Sequence, residues 1–270
     1  MSAAGDFRLV SDRSRSGPAP TLPAMPCVVA YGAGDNSTAL LVGMARRGWR
    51  PDLILFADTG SERPHTYAYL SYFDDCLRSV GFPPLTAVKN ASPIAGDASL
   101  YDECHRKKVL PSLAYGGHSC SLKWKVAPQD RYCREFFGWR RRRKGDPADP
   151  PNGETPPGRW DHGPWVLKLI GYDAGPRDAR RIEKAKGKWP PGYRYRYPLQ
   201  EWDWDRDECV RQIVRAGLRP PGKSACFMCP ACKWHEVQEL AANHPELASK
   251  AMQLEVRAHE RGLTTTRGLG

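Results

Sequence analysis

Cys27-Val28-Val29-Ala30-Tyr31-Gly32-Ala33-Gly34-Asp35-Asn36-Ser37-Thr38-Ala39-Leu40-Leu41-Val42-Gly43-Met44-Ala45 is the stretch that decides the fold. It opens with an apolar run short enough for one buried strand. Small and polar residues then make a tight turn, and apolar residues at helical spacing follow. A second apolar run, Leu53-Ile54-Leu55-Phe56-Ala57, closes on Asp58-Thr59-Gly60. The intervening helix supplies the crossover that two parallel strands require. The pattern predicts an α/β fold with a mainly parallel sheet flanked by helices. Ligands in such sheets bind at the carboxyl ends of strands. The Gly loop and Asp58-Thr59-Gly60 both end strands, so they are expected to line one crevice.

Outward from this core, residues 64–80 read as an amphipathic helix and Pro83 to Val88 as a short third strand. Residues 99–137 read as helical pieces around a loop at Tyr115 to Cys120. Trp165 to Gly171 is a further strand. Residues 177–188 form a basic helix, 205–217 another helix, and 234–261 a helical pair broken near Asn243-His244-Pro245. The expected organisation is a flexible arm over 1–24 and a nucleotide-binding α/β domain over 25–200. A disordered, Pro-rich insert interrupts that domain near 140–162, and a helical part over 201–270 carries a cysteine cluster.

Lys and Arg total 41 against 30 Asp and Glu, a formal net charge of +11. That excess favours anionic partners: nucleotides, nucleic acid or sulfate-like groups. Apolar runs stop short of the ~18–20 residues of a membrane span, and the first residues lack the apolar core of a secretory signal. No membrane partner and a cytoplasmic, reducing setting are therefore expected. In that setting 9 cysteines call for metal or redox chemistry rather than disulfides.

A strand, a small-residue loop and a helix start together aim backbone N–H groups at an anion. Ser37 and Thr38 add hydroxyls. No Gly-Lys-Ser/Thr and no third Gly is present, so the loop is neither a Walker loop nor a dinucleotide fingerprint. A plain strand-to-helix turn capped by Ser is the alternative. Asp58 or Glu62 would orient a ribose or a magnesium ion, or else be solvated loop carboxylates with Asp58 as a cap. Cys226, Cys229 and Cys232 form a Cys-x2-Cys-x2-Cys run. All-sulfur ligation suits zinc or an iron–sulfur cluster, and the spacing echoes ferredoxin-type runs. Cys27, Cys76 and Cys133 sit in apolar contexts and read as core thiols. His105, His118 and His235 have no ligand partner at convincing spacing. Arg140 to Lys144 reads as a solvated loop or a nucleic-acid contact. The basic aromatic stretch from Lys184 to Tyr197 suits either base stacking or an ordered loop.

These segments together resemble the phosphoadenylylsulfate (PAPS) reductase-like branch of the PP-loop ATPases, a Rossmann-like, HUP-type superfamily. Gly32-Ala33-Gly34-Asp35-Asn36-Ser37 is similar to the family's Ser-Gly-Gly-x-Asp-Ser loop, with Gly34 and Ser37 matching and Asn36 where Asp is usual. Asp58-Thr59-Gly60-Ser61-Glu62 looks like its Asp-Thr-Gly-x-Glu string. Cys120 to Pro128 is similar to Cys-x-x-x-Lys-x-x-Pro. Gly171 to Arg181 resembles Gly-x-x-Ala-x-Glu-Ser-x-Arg, with the Glu lost around Pro176. Tyr197 to Trp202 resembles a Pro-Leu-x-x-Trp string. The segments occur in the family's order over roughly 27–236.

The resemblance implies an enzyme that binds ATP or a related adenine nucleotide with Mg2+ and acts at the α-phosphate. It places Tyr31, Gly32, Ala33, Gly34, Ser37, Thr38, Asp58, Thr59, Gly60, Glu62 and Gly171 around the nucleotide. It casts Asn36, Ser37, Lys123, Arg180 and Arg181 in catalysis. It brings Cys120 in as the fourth metal ligand beside Cys226, Cys229 and Cys232, with Cys104 and Cys209 as runners-up. A 4Fe-4S cluster is expected ahead of Zn2+. Sulfur transfer or nucleic-acid modification, with a DNA or RNA substrate, fits the charge. A homodimer or modification-complex partners are further expectations. Two other readings stand beside this one. A true sulfonucleotide reductase needs a tail cysteine, and no Cys follows Cys232 here. The other is a metal-stabilised nucleic-acid-binding protein with a degenerate nucleotide site.

Overall fold

The computed structural model describes residues 22–90, 96–111, 119–140, 163–187 and 192–262. Residues 1–21 of the arm expected over 1–24, residues 141–162 of the insert expected near 140–162, the loop at Tyr115 to His118, Trp189 and the chain end from 263 lie outside them.

The strands are β1 (Cys27–Tyr31), β2 (Leu53–Asp58), β3 (Leu85–Lys89), β4 (Val166–Ile170) and β5 (Tyr193–Arg196). They make a five-stranded parallel sheet in the order β3-β2-β1-β4-β5, the expected Rossmann-like α/β arrangement. β1 pairs with β2 at Tyr31↔Phe56 and with β4 at Ala30↔Ile170. Both neighbours of β1 are thus parallel to it. Val28 and Val29 point to opposite faces and are both fully buried, as a central parallel strand demands.

The helices are α1 (Asp35–Arg46), α2 (Pro64–Ser79), α3 (Leu100–Lys107), α4 (Ser119–Ser121), α5 (Ala127–Phe136), α6 (Pro176–Ala185), α7 (Pro198–Glu201), α8 (Arg206–Arg215), α9 (Trp234–Asn243) and α10 (Pro245–Glu260). A π-helical turn, Leu122–Val126, joins α4 to α5. Pro245 takes the first position of α10, where its missing N–H costs nothing. No helix among the described residues is long and apolar enough to cross a membrane.

The chain divides into two compact units, each built from three separated segments. The first takes Met1–Phe56, Ala68–Thr86 and Arg131–Lys223. The second takes Ala57–Tyr67, Ala87–Asp130 and Ser224–Gly270. The position where the sequence suggests a boundary, near 200, falls inside the first unit. The unit boundary falls after Phe56 in β2 and after Thr86 in β3.

The first unit's core gathers Val29, Leu40, Leu41, Ile54, Phe56, Phe73, Leu169 and Leu199. Cys27, Cys76 and Cys209 belong to it. Burial lifts the Cys27 and Cys209 thiols to about 12, which suits inert packing groups. The second unit's core collects Leu100, Leu110, Trp124, Phe227, Met228, Leu240 and Leu254, with Cys104 and Cys226 among them.

Candidate functional site

In the first unit the sheet changes direction between β1 and β4, since β2 lies to one side of β1 and β4 to the other. Carboxyl ends at such a switch point frame a crevice. The Gly loop leaves β1 there. Ala33 takes a left-handed φ of 55°, unusual for a residue with a Cβ. Gly34 is the N-cap of α1. Ser37 is not the cap but the third helical residue, and its Oγ lies 3.3 Å from Gly34 N and 3.1 Å from Gly34 O.

The end of β4 closes on this loop. A Cβ at Gly171 would stand 2.9 Å from Ser37 Cα and 3.0 Å from Asn36 O, so only glycine lets the two backbones meet. Two residues on, Asp173 accepts a 2.7 Å hydrogen bond from Asn36 Nδ2. Its other carboxylate oxygen accepts from Gly175 N at 2.8 Å. Asn36 Oδ1 is buried and has no donor among the described residues. Asp173 is the functional candidate that sequence reasoning missed. Its signal was its place just after Gly171, at the end of a strand.

Two expected nucleotide residues turn inward. The Tyr31 ring is stacked on Phe73 and its hydroxyl meets Thr38 Oγ1 at 3.1 Å, both side chains in the core. Only their backbones are available to a ligand. Asp35, also buried, pairs with Arg206 at 2.6 Å and accepts from Gly222 N at 3.1 Å. Arg180 and Arg181 lie on the exposed side of α6. Arg180 Nε donates to Pro176 O, while Arg181 pairs with Asp178 at 2.8 Å and stands over the Tyr172 ring. The basic aromatic stretch becomes β5 and its flanks. Tyr193 is buried against Trp139 and Tyr197 stacks on Tyr172 at 5.6 Å, so both rings are already engaged.

The second unit holds the remaining candidates. Asp58 Oδ1 accepts from Gly60 N and from Tyr67 O–H, each at 2.8 Å, and Lys89 stands 3.3 Å from Oδ2. Asp58 thus organises its own loop and is buried rather than solvated. Glu62 has a side chain 0% exposed. Its Oε1 accepts from Thr59 Oγ1 at 3.1 Å and meets Lys125 Nζ at 2.9 Å. Its Oε2 is buried and receives no donor among the described residues. Cys226 Sγ lies 3.4 Å from Thr59 Oγ1 and 3.8 Å from Glu62 Oε1. Thr59 and Glu62, expected at a nucleotide, have their side chains committed to the thiols.

An antiparallel bridge between Glu62 and Cys226 builds this arrangement. Phe227 N donates to Ser61 O at 2.9 Å and Arg63 N to Ala225 O at 3.3 Å. The loop after β2 and the cysteine segment are therefore one piece. Burial, then the Glu62 carboxylate, push the Cys226 thiol up to about 12. A hydrogen bond from Cys232 lowers that of Cys229. Cys120 and Cys229 pack against the core that contains Cys226, and Cys232 N donates to Cys229 O at 3.0 Å. All four expected ligands thus share one neighbourhood. Among the described residues no three His, Cys, Asp or Glu side chains converge tightly enough to hold one metal ion. Of the runners-up, Cys104 lies in this unit's core and Cys209 in the core of the first.

A cleft of about 450 Å3 reaches Cys104 and Cys120. On its wall Glu103 receives Lys107, Lys123 and, at 2.6 Å, Trp124 Nε1. Lys123, expected at a phosphate, is thus tied to a carboxylate. Burial alone would raise the Glu103 carboxyl, but these donors outweigh it and hold it below its ordinary 4.5. A depressed carboxyl contributes stability that is present above the unfolded value and lost as pH falls through the folded one. Glu103→Gln should accordingly flatten the loss of stability below about pH 4.5. Denaturant midpoints across that range check this, and parallel wild-type and variant curves would refute it.

No protein-family model and no curated protein matches the chain. Among solved structures it is similar to the U34-tRNA thiolase NcsA from Methanococcus maripaludis with its [4Fe-4S] cluster. The likeness has 14% sequence identity, covers 92% of this chain and 76% of that chain, and has a TM-score of 0.35.

Proposed function

We propose that the chain is a PP-loop, PAPS reductase-like enzyme that binds ATP or a related adenine nucleotide and acts at the α-phosphate. The observation that supports this best is the closure of Gly171 onto Asn36 and Ser37 at the β1/β4 switch point. Backbone N–H groups of the loop and the start of α1 would hold phosphate oxygens. Asn36 carries no charge, and Asp173 bonded to it puts a carboxylate beside the loop. Asp173 would orient the Mg2+ of the bound nucleotide, a role the sequence assigned to Asp58 or Glu62. Arg180 and Arg181, exposed on α6, would offset charge on a leaving pyrophosphate.

Cys120, Cys226, Cys229 and Cys232 would hold a 4Fe-4S cluster. The donor set is all sulfur, which suits iron–sulfur ligation. Four thiolates from these two segments would ligate the irons of such a cluster. The cluster would supply sulfur or electron chemistry, and the +11 charge supports a nucleic-acid acceptor.

Isothermal titration of anaerobically purified protein with Mg–ATP tests the nucleotide reading. Saturable binding that requires magnesium is expected. Absence of binding at millimolar ATP sinks the proposal.

A further inference from the structure

Arg63 is buried in the second unit, only 6% exposed. Its Nη2 donates to Cys232 Sγ at 3.5 Å and to Glu236 O at 3.1 Å. Its own backbone N–H donates to Ala225 O at 3.3 Å. The residue is thus fastened to the cysteine segment at backbone and side chain alike. Among the described residues no carboxylate pairs with it, and its buried Nε–H has no acceptor. Removing a guanidinium from water is costly unless a countercharge and acceptors replace the solvent. Among the described residues the sulfur it donates to, Cys232 Sγ, is an expected cluster ligand. Lys125, a cation of the same unit, is already paired with Glu62.

We infer that Arg63 is a positioning residue for the cluster: it fixes the Cys232 sulfur by its hydrogen bond, offers its free N–H to an acceptor that the cluster brings, and raises the cluster's reduction potential. This rests on the cluster reading above. Reduction adds one electron and one negative charge to a group that already carries thiolates. A neighbouring cation and hydrogen bonds to ligand sulfur stabilise the reduced form more than the oxidised one.

The test compares full-length wild type, Arg63→Gln and Arg63→Lys, purified anaerobically and titrated with dithionite while the visible and EPR spectra are followed. Arg63→Gln should load iron and sulfide yet show a more negative potential, and Arg63→Lys should restore most of the shift. A loaded Arg63→Gln protein at the wild-type potential overturns the inference. Should neither variant load, wild type labelled with 15N-arginine decides. Pulsed EPR of its reduced cluster should show a weak arginine nitrogen coupling, and no coupling overturns the role. A wild type that takes up no iron overturns the cluster reading itself, and this inference with it.

Discussion

Lys125→Met is expected to destabilise the protein by about 3 kcal/mol, at the low end of the range for removing one partner of a buried pair. The cost arises at Glu62 rather than at the lysine. Lys125 is partly exposed, but the Glu62 side chain is 0% exposed and, among the described residues, keeps only the Thr59 hydroxyl and the long 3.8 Å contact from the Cys226 thiol once the ammonium is gone. The carboxylate is then a buried charge with no cation to offset it. Glu62→Leu added to Lys125→Met should recover much of the loss, because an apolar pair of similar volume removes the stranded charge. Denaturant unfolding of the three proteins measures this. A single variant as stable as wild type, or a double variant no better than the single, refutes the account.

Gly171→Ala should weaken Mg–ATP binding at least about tenfold, or roughly 1.4 kcal/mol. The added Cβ meets backbone, Ser37 Cα at 2.9 Å and Ser37 N at 3.0 Å, so no rotamer change relieves it. Either the end of β4 or the loop has to move, and the loop's N–H groups lose their aim at the phosphate. Overpacking of this kind also costs about 1–3 kcal/mol of stability. Titration and unfolding separate the two effects. A folded Gly171→Ala protein with wild-type affinity would show that the phosphate binds elsewhere.

Both expectations concern close contacts between segments far apart in the chain, and this is where sequence reading reached its limit. The run Cys27 to Ala45 specified a strand, a loop and a helix because its periodicity switches within a few residues. The boundaries of α9 and α10 were legible from Asn243-His244-Pro245, since proline can start a helix but not continue one. The strand Tyr193–Arg196 was not legible as such, because its alternating arginines and tyrosines read equally as a basic surface. Its pairing with β4 decides the matter and buries Tyr193.

The site divides in the same way. Local spacing determined that Cys226, Cys229 and Cys232 act together, and that Gly32 to Ser37 is a loop at a helix start. Only the tertiary structure decided that Glu62 and Thr59 turn to Cys226, that Asp173 meets Asn36, and that Arg63 reaches Cys232. The physical reason is that periodicity records which face of an element is buried, whereas a buried charge finds its partner through the crossing of elements remote in sequence. The stretch from Cys27 to Ala45 thus determined the α/β class by itself. The antiparallel bridge of Glu62 to Cys226, over 164 residues of chain, decided which carboxylate faces the thiols.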